Sequence, residues 1–177
     1  MTMLLFDFRQ PQGAKQWSAV DDVVMGGVSS SRMIPTPNGT AIFSGRVSLE
    51  NSGGFASITS GQTQFDIDGY NGIALNLRGD GKRYSFIIRC KEQRPRYECI
   101  FTTEPNTWET VYLPFGRFIP KIFGMRLPVA PSMNLSAITS CGLIISNKQE
   151  GAFMLEIEWI AAYPMPSVDD EDEDEST

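Results

Sequence analysis

The chain has 177 residues, enough for one domain with a substantial core and short for two. Its 15 Lys and Arg face 21 Asp and Glu for a net charge of −6, but seven acids run consecutively over residues 169–175, and the remainder, 15 against 14, is nearly neutral. This balance argues against a generally basic nucleic-acid binder, and no apolar run approaches the ~18 residues of a membrane span. The absence of histidine excludes Ser-His-Asp and Cys-His nucleophiles, HExxH zinc sites and imidazole proton shuttles. Cys90, Cys99 and Cys141 are odd in number and lack CxxC spacing, which suits a reducing compartment better than a disulfide framework or zinc ribbon. The opening residues carry no signal-peptide or presequence pattern, so a cytoplasmic protein, bacterial or a mature organellar form, is expected.

Apolar residues recur with period two between scattered glycines and prolines, the pattern of half-buried strands. Over residues 40–49, Ala41, Phe43, Gly45, Val47 and Leu49 share one face. Ile73, Leu75 and Leu77 alternate with Ala74, Asn76 and Arg78. Tyr84, Phe86, Ile88 and Cys90 then lead through a turn at 92–95 into Tyr97, Cys99 and Phe101, a β-hairpin. Further strands are expected at 108–113, at 138–145, which is apolar on both faces and suits a central strand, and at 153–163. In the last, Phe153, Leu155, Ile157 and Trp159 should share the inner face, opposite Glu156 and Glu158. Helix should be limited to a turn or two near 18–23 and 114–118. The expected architecture is all-β, a two-sheet antiparallel sandwich of jelly-roll type over residues 1–165, with a disordered acidic tail over 166–177.

One connection does not fit a plain loop. Residues 114–135 contain four prolines and two glycines, so no regular element is expected, yet Phe115, Phe118, Ile119, Ile122, Phe123, Met125, Leu127 and Val129 are all apolar. So hydrophobic a loop either caps one end of the sandwich or offers an apolar surface to a partner, rimmed by Arg117, Lys121 and Arg126.

Three glycine-bearing turns stand out: Asp22, Met25, Gly26, Gly27 and Ser29 within WSAVDDVVMGGVSSS (17–31), Gly53-Gly54-Phe55, and Arg78-Gly-Asp80-Gly-Lys-Arg83-Tyr84. No helix pattern follows any of them, which disfavours a phosphate-cradling loop. Taken in order with Trp17, Phe43-Ser-Gly45, Trp108, Leu113-Pro-Phe115 and the closing segment from Gly151 to Ile160, they resemble the complex I intermediate-associated protein family, the thirty-kilodalton type of NADH dehydrogenase assembly factor. The resemblance spans about residues 5–163. It implies a galactose-binding-domain-like jelly roll, agreeing with the periodicity, and a non-enzymatic role in assembling a membrane-bound respiratory or photosynthetic complex, most simply NADH dehydrogenase. Two departures are the missing mitochondrial presequence and the acidic ending.

Other constellations have plainer readings beside the functional ones. Asp21, Asp22, Asp66, Asp68 and Asp80 could ligate calcium, but no DxDxDG-type spacing gathers their oxygens, and turn capping is the plainer explanation. Glu156 with Glu158 could serve glycoside hydrolysis, but a solvated outer row is simpler. Trp17, Tyr84, Trp108 and Trp159 could stack on a sugar, against ordinary core packing. Arg78, Lys82, Arg83, Arg89, Lys91, Arg94 and Arg96 place seven cations within 19 residues, suited to an acidic protein surface, phospholipid headgroups or RNA phosphates, or to an edge protected from aggregation; the acidic tail could fold back on them. No cofactor or catalytic residue is called for. The expected partners are subunits or intermediates of a membrane complex, with peripheral membrane association allowed and carbohydrate as the alternative. Asp22, Met25, Gly26, Gly27, Ser29, Arg78, Asp80, Arg83, Tyr84, Phe118 and Phe123 are the expected contact positions.

Overall fold

A computed structural model of the chain describes residues 1–166, and the expectation for the acidic tail falls outside them, Pro166 aside. Within them the alternating pattern forms strands β1 (Met3–Asp7), β2 (Ser18–Ala19), β3 (Ser30–Pro35), β4 (Ala41–Val47), β5 (Ala56–Thr59), β6 (Gly72–Arg78) and β7 (Arg83–Cys90). These are followed by β8 (Arg96–Thr102), β9 (Trp108–Pro114), β10 (Ile119–Ile122), β11 (Met125–Arg126), β12 (Ile138–Ile145) and β13 (Gly151–Tyr163). One sheet runs β3-β4-β13-β6-β9, with β1 also paired to β13; the other runs β11-β10-β8-β7-β12-β5-β2. All these strand pairs are antiparallel. The result is a jelly-roll sandwich.

The inner faces meet in an apolar core. Phe43, Tyr84 and Phe153 pack edge-on at one end, with Phe43 and Phe153 centroids 4.9 Å apart. Phe6, Phe8 and Trp17 close the other end. Leu75, Leu77, Ile88, Leu143, Leu155 and Ile157 fill the middle. As expected for a central strand, β12 is flanked by β7 and β5 and buried along nearly its whole length.

Three expectations are corrected. In β13 the register shifts between Ile157 and Trp159, so that Ile160 and Ala162 continue the buried row while Trp159 is only partly buried. The extra residue of a bulge reverses the alternation beyond it. The helical turn expected near 114–118 is present as a 3₁₀ turn at Phe115–Arg117, but Ser18–Ala19 is strand, the turn expected near 18–23 falls at Asp22–Met25, and a short helix at Gln12–Lys15 and a 3₁₀ turn at Glu50–Ser52 lie outside the expected stretches. Finally, the segment 114–135 holds a regular hairpin, because β10 pairs with β8 on one side and β11 on the other. Pro120 is accommodated in β10 opposite Tyr97, while Lys121 pairs in register with Arg96.

Candidate functional site

The conspicuous turn at Asp22 is a buried carboxylate hub. Asp22 is fully buried, and its Oδ1 accepts the Ser29 N–H at 2.9 Å. Its Oδ2 accepts the Ser29 hydroxyl at 2.5 Å, the Gly54 N–H at 2.7 Å and the Phe55 N–H at 3.4 Å. Burial alone pushes this carboxyl's pKa up, but the donors from Ser29, Gly54 and Phe55 outweigh it and hold the group below the usual carboxylate range. The glycines are there for space: a Cβ on Gly27 would lie 2.4 Å from Asp22 Cγ, and one on Gly53 2.5 Å from Oδ2. Met25 ends the 3₁₀ turn and Gly26 follows at φ 87°. The neighbouring Asp21 accepts the Ser31 hydroxyl at 2.6 Å and the Ser57 N–H at 3.0 Å, which ties β3 of one sheet to β5 of the other.

The second turn is built similarly. Asp80 accepts the Lys82 N–H at 3.1 Å, the Tyr84 hydroxyl at 3.0 Å and the Met154 N–H at 2.9 Å, joining the β6–β7 turn to β13. Tyr84 is buried, and burial followed by the Asp80 charge raises its phenol pKa. Arg83 is exposed; its N–H donates to Gln149. Arg78 lies on the outer face, 2.6 Å from Glu156 Oε1 and over the Trp108 ring at 5.5 Å. Glu156 is therefore not in a solvated row. It is buried, and its other oxygen accepts the Thr40 hydroxyl at 2.6 Å.

The apolar connection is packed in part and exposed in part. Phe118 turns inward against Phe86 and Phe115 and belongs to the core, so a direct contact with a partner is open to Phe123 but not to Phe118. Phe123 stands at the tip of the β10–β11 hairpin, 93% exposed, with Met125 at 73% and Val129 at 89%. Ile122 and Met125 are paired, and Phe123 and Gly124 between them have φ of 50° and 75°, the signature of a two-residue type I′ turn.

Beside this tip the basic residues divide. Arg78 and Lys82 are ion-paired elsewhere, and Lys91 lines a separate pocket with Gln62, Gln64 and Asp66. Arg89, Arg94 and Arg96 instead converge with Lys121, Ile122 and Phe123 around a pocket of about 190 Å³. Lys121 pairs in register with Arg96 on one side and Arg126 on the other, and Arg89 follows the last registered couple, Ile88 and Tyr97, on the far side of Arg96. Four cations thus line up across β7, β8, β10 and β11. Their carboxylate neighbour is the buried Glu98, 2.9 Å from Arg96 and 2.8 Å from Lys121. Although Arg89 is exposed, partial desolvation of its guanidinium and then the Arg96 charge lower its pKa.

The remaining candidate groups do not assemble into a site. Among the described residues no three of His, Cys, Asp and Glu converge as metal ligands, and Asp66 accepts the Asp68 N–H in a local turn. Trp17 and Tyr84 are core residues, while Trp108 is 42% exposed, so the four suggested aromatics form no common platform. Cys90, Cys99 and Cys141 are buried free thiols, each with its pKa raised by burial. Sequence reading missed that Glu98 joins the basic hairpin to the apolar segment. The available signal was Phe123-Gly124 between two short runs, a turn dipeptide with the glycine in place.

Two antiparallel sheets packed face to face define a β-sandwich module of jelly-roll type. The chain belongs to the family "Complex I intermediate-associated protein 30", whose model matches residues 6–157. It is similar to the mitochondrial proteins of that name from Mus musculus, 26% identical with 93% of this chain and 57% of that protein covered, and from Drosophila melanogaster, 23% identical with 94% and 64% covered. The chain therefore spans less than two thirds of these relatives. Among solved structures, a family 11 carbohydrate-binding module of a Clostridium thermocellum cellulase superposes with a TM-score of 0.70 at 15% identity, covering 93% of this chain and 95% of that one. An agarase matches with a TM-score of 0.67 at 14% identity, covering 94% and 25%. These likenesses show the fold.

Proposed function

We propose that this chain is a non-enzymatic assembly factor that binds subunits or intermediates of a membrane-bound NADH dehydrogenase. The observation that carries this reading is the family match across nearly the whole sandwich, joined to relatives named for complex I intermediates. The surface supports it. An exposed apolar hairpin tip beside a row of cations suits transient binding, with apolar burial supplying affinity and charge matching supplying specificity. The Asp22 and Asp80 turns serve by fixing loop shape, since Asp22, Ser29 and Tyr84 are buried. Buried thiols of raised pKa and a chain without histidine favour binding over catalysis. The expected cytoplasmic setting remains part of this proposal, beside relatives whose names place them in mitochondria.

Affinity purification from detergent-solubilised membranes of the source organism tests the reading. NADH dehydrogenase subunits should co-purify with the intact chain and be depleted with Phe123→Asp. Recovery of no such subunit by the intact chain would refute it. A second reading, carbohydrate binding, draws on Trp108 and Tyr112, 42% and 57% exposed on the outer face beside Asn76 and Arg78. Glycan binding lost in Trp108→Ala would favour it.

A further inference from the structure

We propose that the β10–β11 hairpin and the cationic row beside it form a docking surface for an anionic phospholipid bilayer, with Phe123 entering the headgroup region and Arg89, Arg94, Arg96, Lys121 and Arg126 meeting lipid phosphates.

Two independent features lead there. The first is the tip. A bulky aromatic at positive φ is a backbone outlier, because its Cβ crowds the carbonyl, and type I′ turns ordinarily take Asn, Asp or Gly at that position. Phe123 bears that strain while 93% exposed, so it returns no burial to the fold. Strain of this kind persists at functional positions. Met125, which follows the turn, is 73% exposed, so the apolar surface is a narrow prong rather than a flat patch.

The second feature is the row of cations. Like charges directly opposite on adjacent strands repel, and here Arg96 faces Lys121, which faces Arg126. Glu98 relieves Arg96 and Lys121, whereas Arg89, Arg94 and Arg126 form no ion pair among the described residues. The buried Nε of Arg96 also has no acceptor there. Arg89, Arg94, Arg96 and Lys121 around a pocket whose rim includes Phe123, extended by Arg126 opposite Lys121 on β11, match an extended plane of phosphates. An apolar prong inside a basic collar fits the interface of an anionic membrane, where each basic side chain and each inserted apolar group adds to binding. A flat acidic protein surface would satisfy the cations but leave the prong no apolar layer to enter.

This goes beyond the assembly reading, and its test contains no complex subunit. The full chain is sedimented with vesicles of phosphatidylcholine alone and of equal parts phosphatidylcholine and phosphatidylglycerol, at low and high salt. It should partition onto the anionic vesicles at low salt and much less at high salt. Arg89→Gln/Arg126→Gln, which removes two exposed unpaired cations, should weaken partition about 25-fold, roughly fivefold per cation. Phe123→Asn, which suits the turn and keeps the fold, should weaken it about tenfold. No partition onto anionic vesicles, or undiminished partition by either variant, would overturn the proposal. Loss of subunit capture by the Arg89/Arg126 variant together with no vesicle binding would assign the row to an acidic protein face instead.

Discussion

Replacing Asp22 by alanine should destabilise the protein more than any single change at its surface. The carboxylate accepts three short bonds, from the Ser29 N–H and hydroxyl and the Gly54 N–H, and one longer bond from the Phe55 N–H. A hydrogen bond to a charged group contributes about 1.5–3 kcal/mol net, but neighbouring bonds are not additive, and residues 53–55 are partly exposed, so water can replace some partners. The expected loss is about 4 kcal/mol, near 10 °C in melting temperature for a domain of this size. Urea denaturation of the wild type, Asp22→Ala, Gly27→Ala and the double variant measures it. Gly27→Ala should be destabilising alone, because its Cβ meets the Asp22 carboxylate, and much less so once that carboxylate is gone. An Asp22→Ala cost below about 1 kcal/mol, or additive single effects, would refute the idea that this motif exists to build a buried acceptor.

The same hub fixes a pH dependence. Asp22 has a folded-state pKa below its unfolded value, so its stabilisation is fully present above the unfolded carboxylate pKa and is lost as pH falls through the folded one. Stability titrated downward from neutral pH should therefore fall in wild type more steeply than in Asp22→Asn across that acid window; parallel curves would contradict it. Phe123→Asn should raise stability by about 1 kcal/mol by relieving a positive φ, while Phe118→Asp should cost about 4 kcal/mol or more by burying a charge, both read by thermal melting. Glu98→Gln should cost about 2 kcal/mol at low salt, and the deficit should shrink at high salt as repulsion among Arg89, Arg96 and Lys121 is screened. A salt-independent deficit would contradict the repulsive row.

The sandwich was legible in the sequence because strand alternation is a local signal: Phe43, Leu75, Phe86, Tyr97 and Leu155 all face inward as their spacing predicts. The signal failed where geometry overrides alternation. The β13 bulge moves Trp159 off the inner row without any residue that marks it, and Glu156 is buried by Thr40 and Arg78, residues far away in the chain. The β10–β11 hairpin was hidden because Pro120 and Gly124 read as loop residues, although a proline can sit where no ladder N–H is required and the glycine belongs to the turn. The prominent turns were recognisable as motifs, but that their glycines make room for Asp22 follows only from bringing Gly27 and Gly53 against one side chain. The cationic row depends on registers of β7, β8, β10 and β11 that spacing does not reveal.

The most direct test of the assembly role is to delete the protein from its source organism and resolve the membrane complexes by native electrophoresis with an NADH dehydrogenase activity stain. The account predicts loss of the full complex, accumulation of a partial complex, and recovery of the tagged chain with that partial complex but not with the finished one. Normal amounts of active complex in the deletion strain would contradict it.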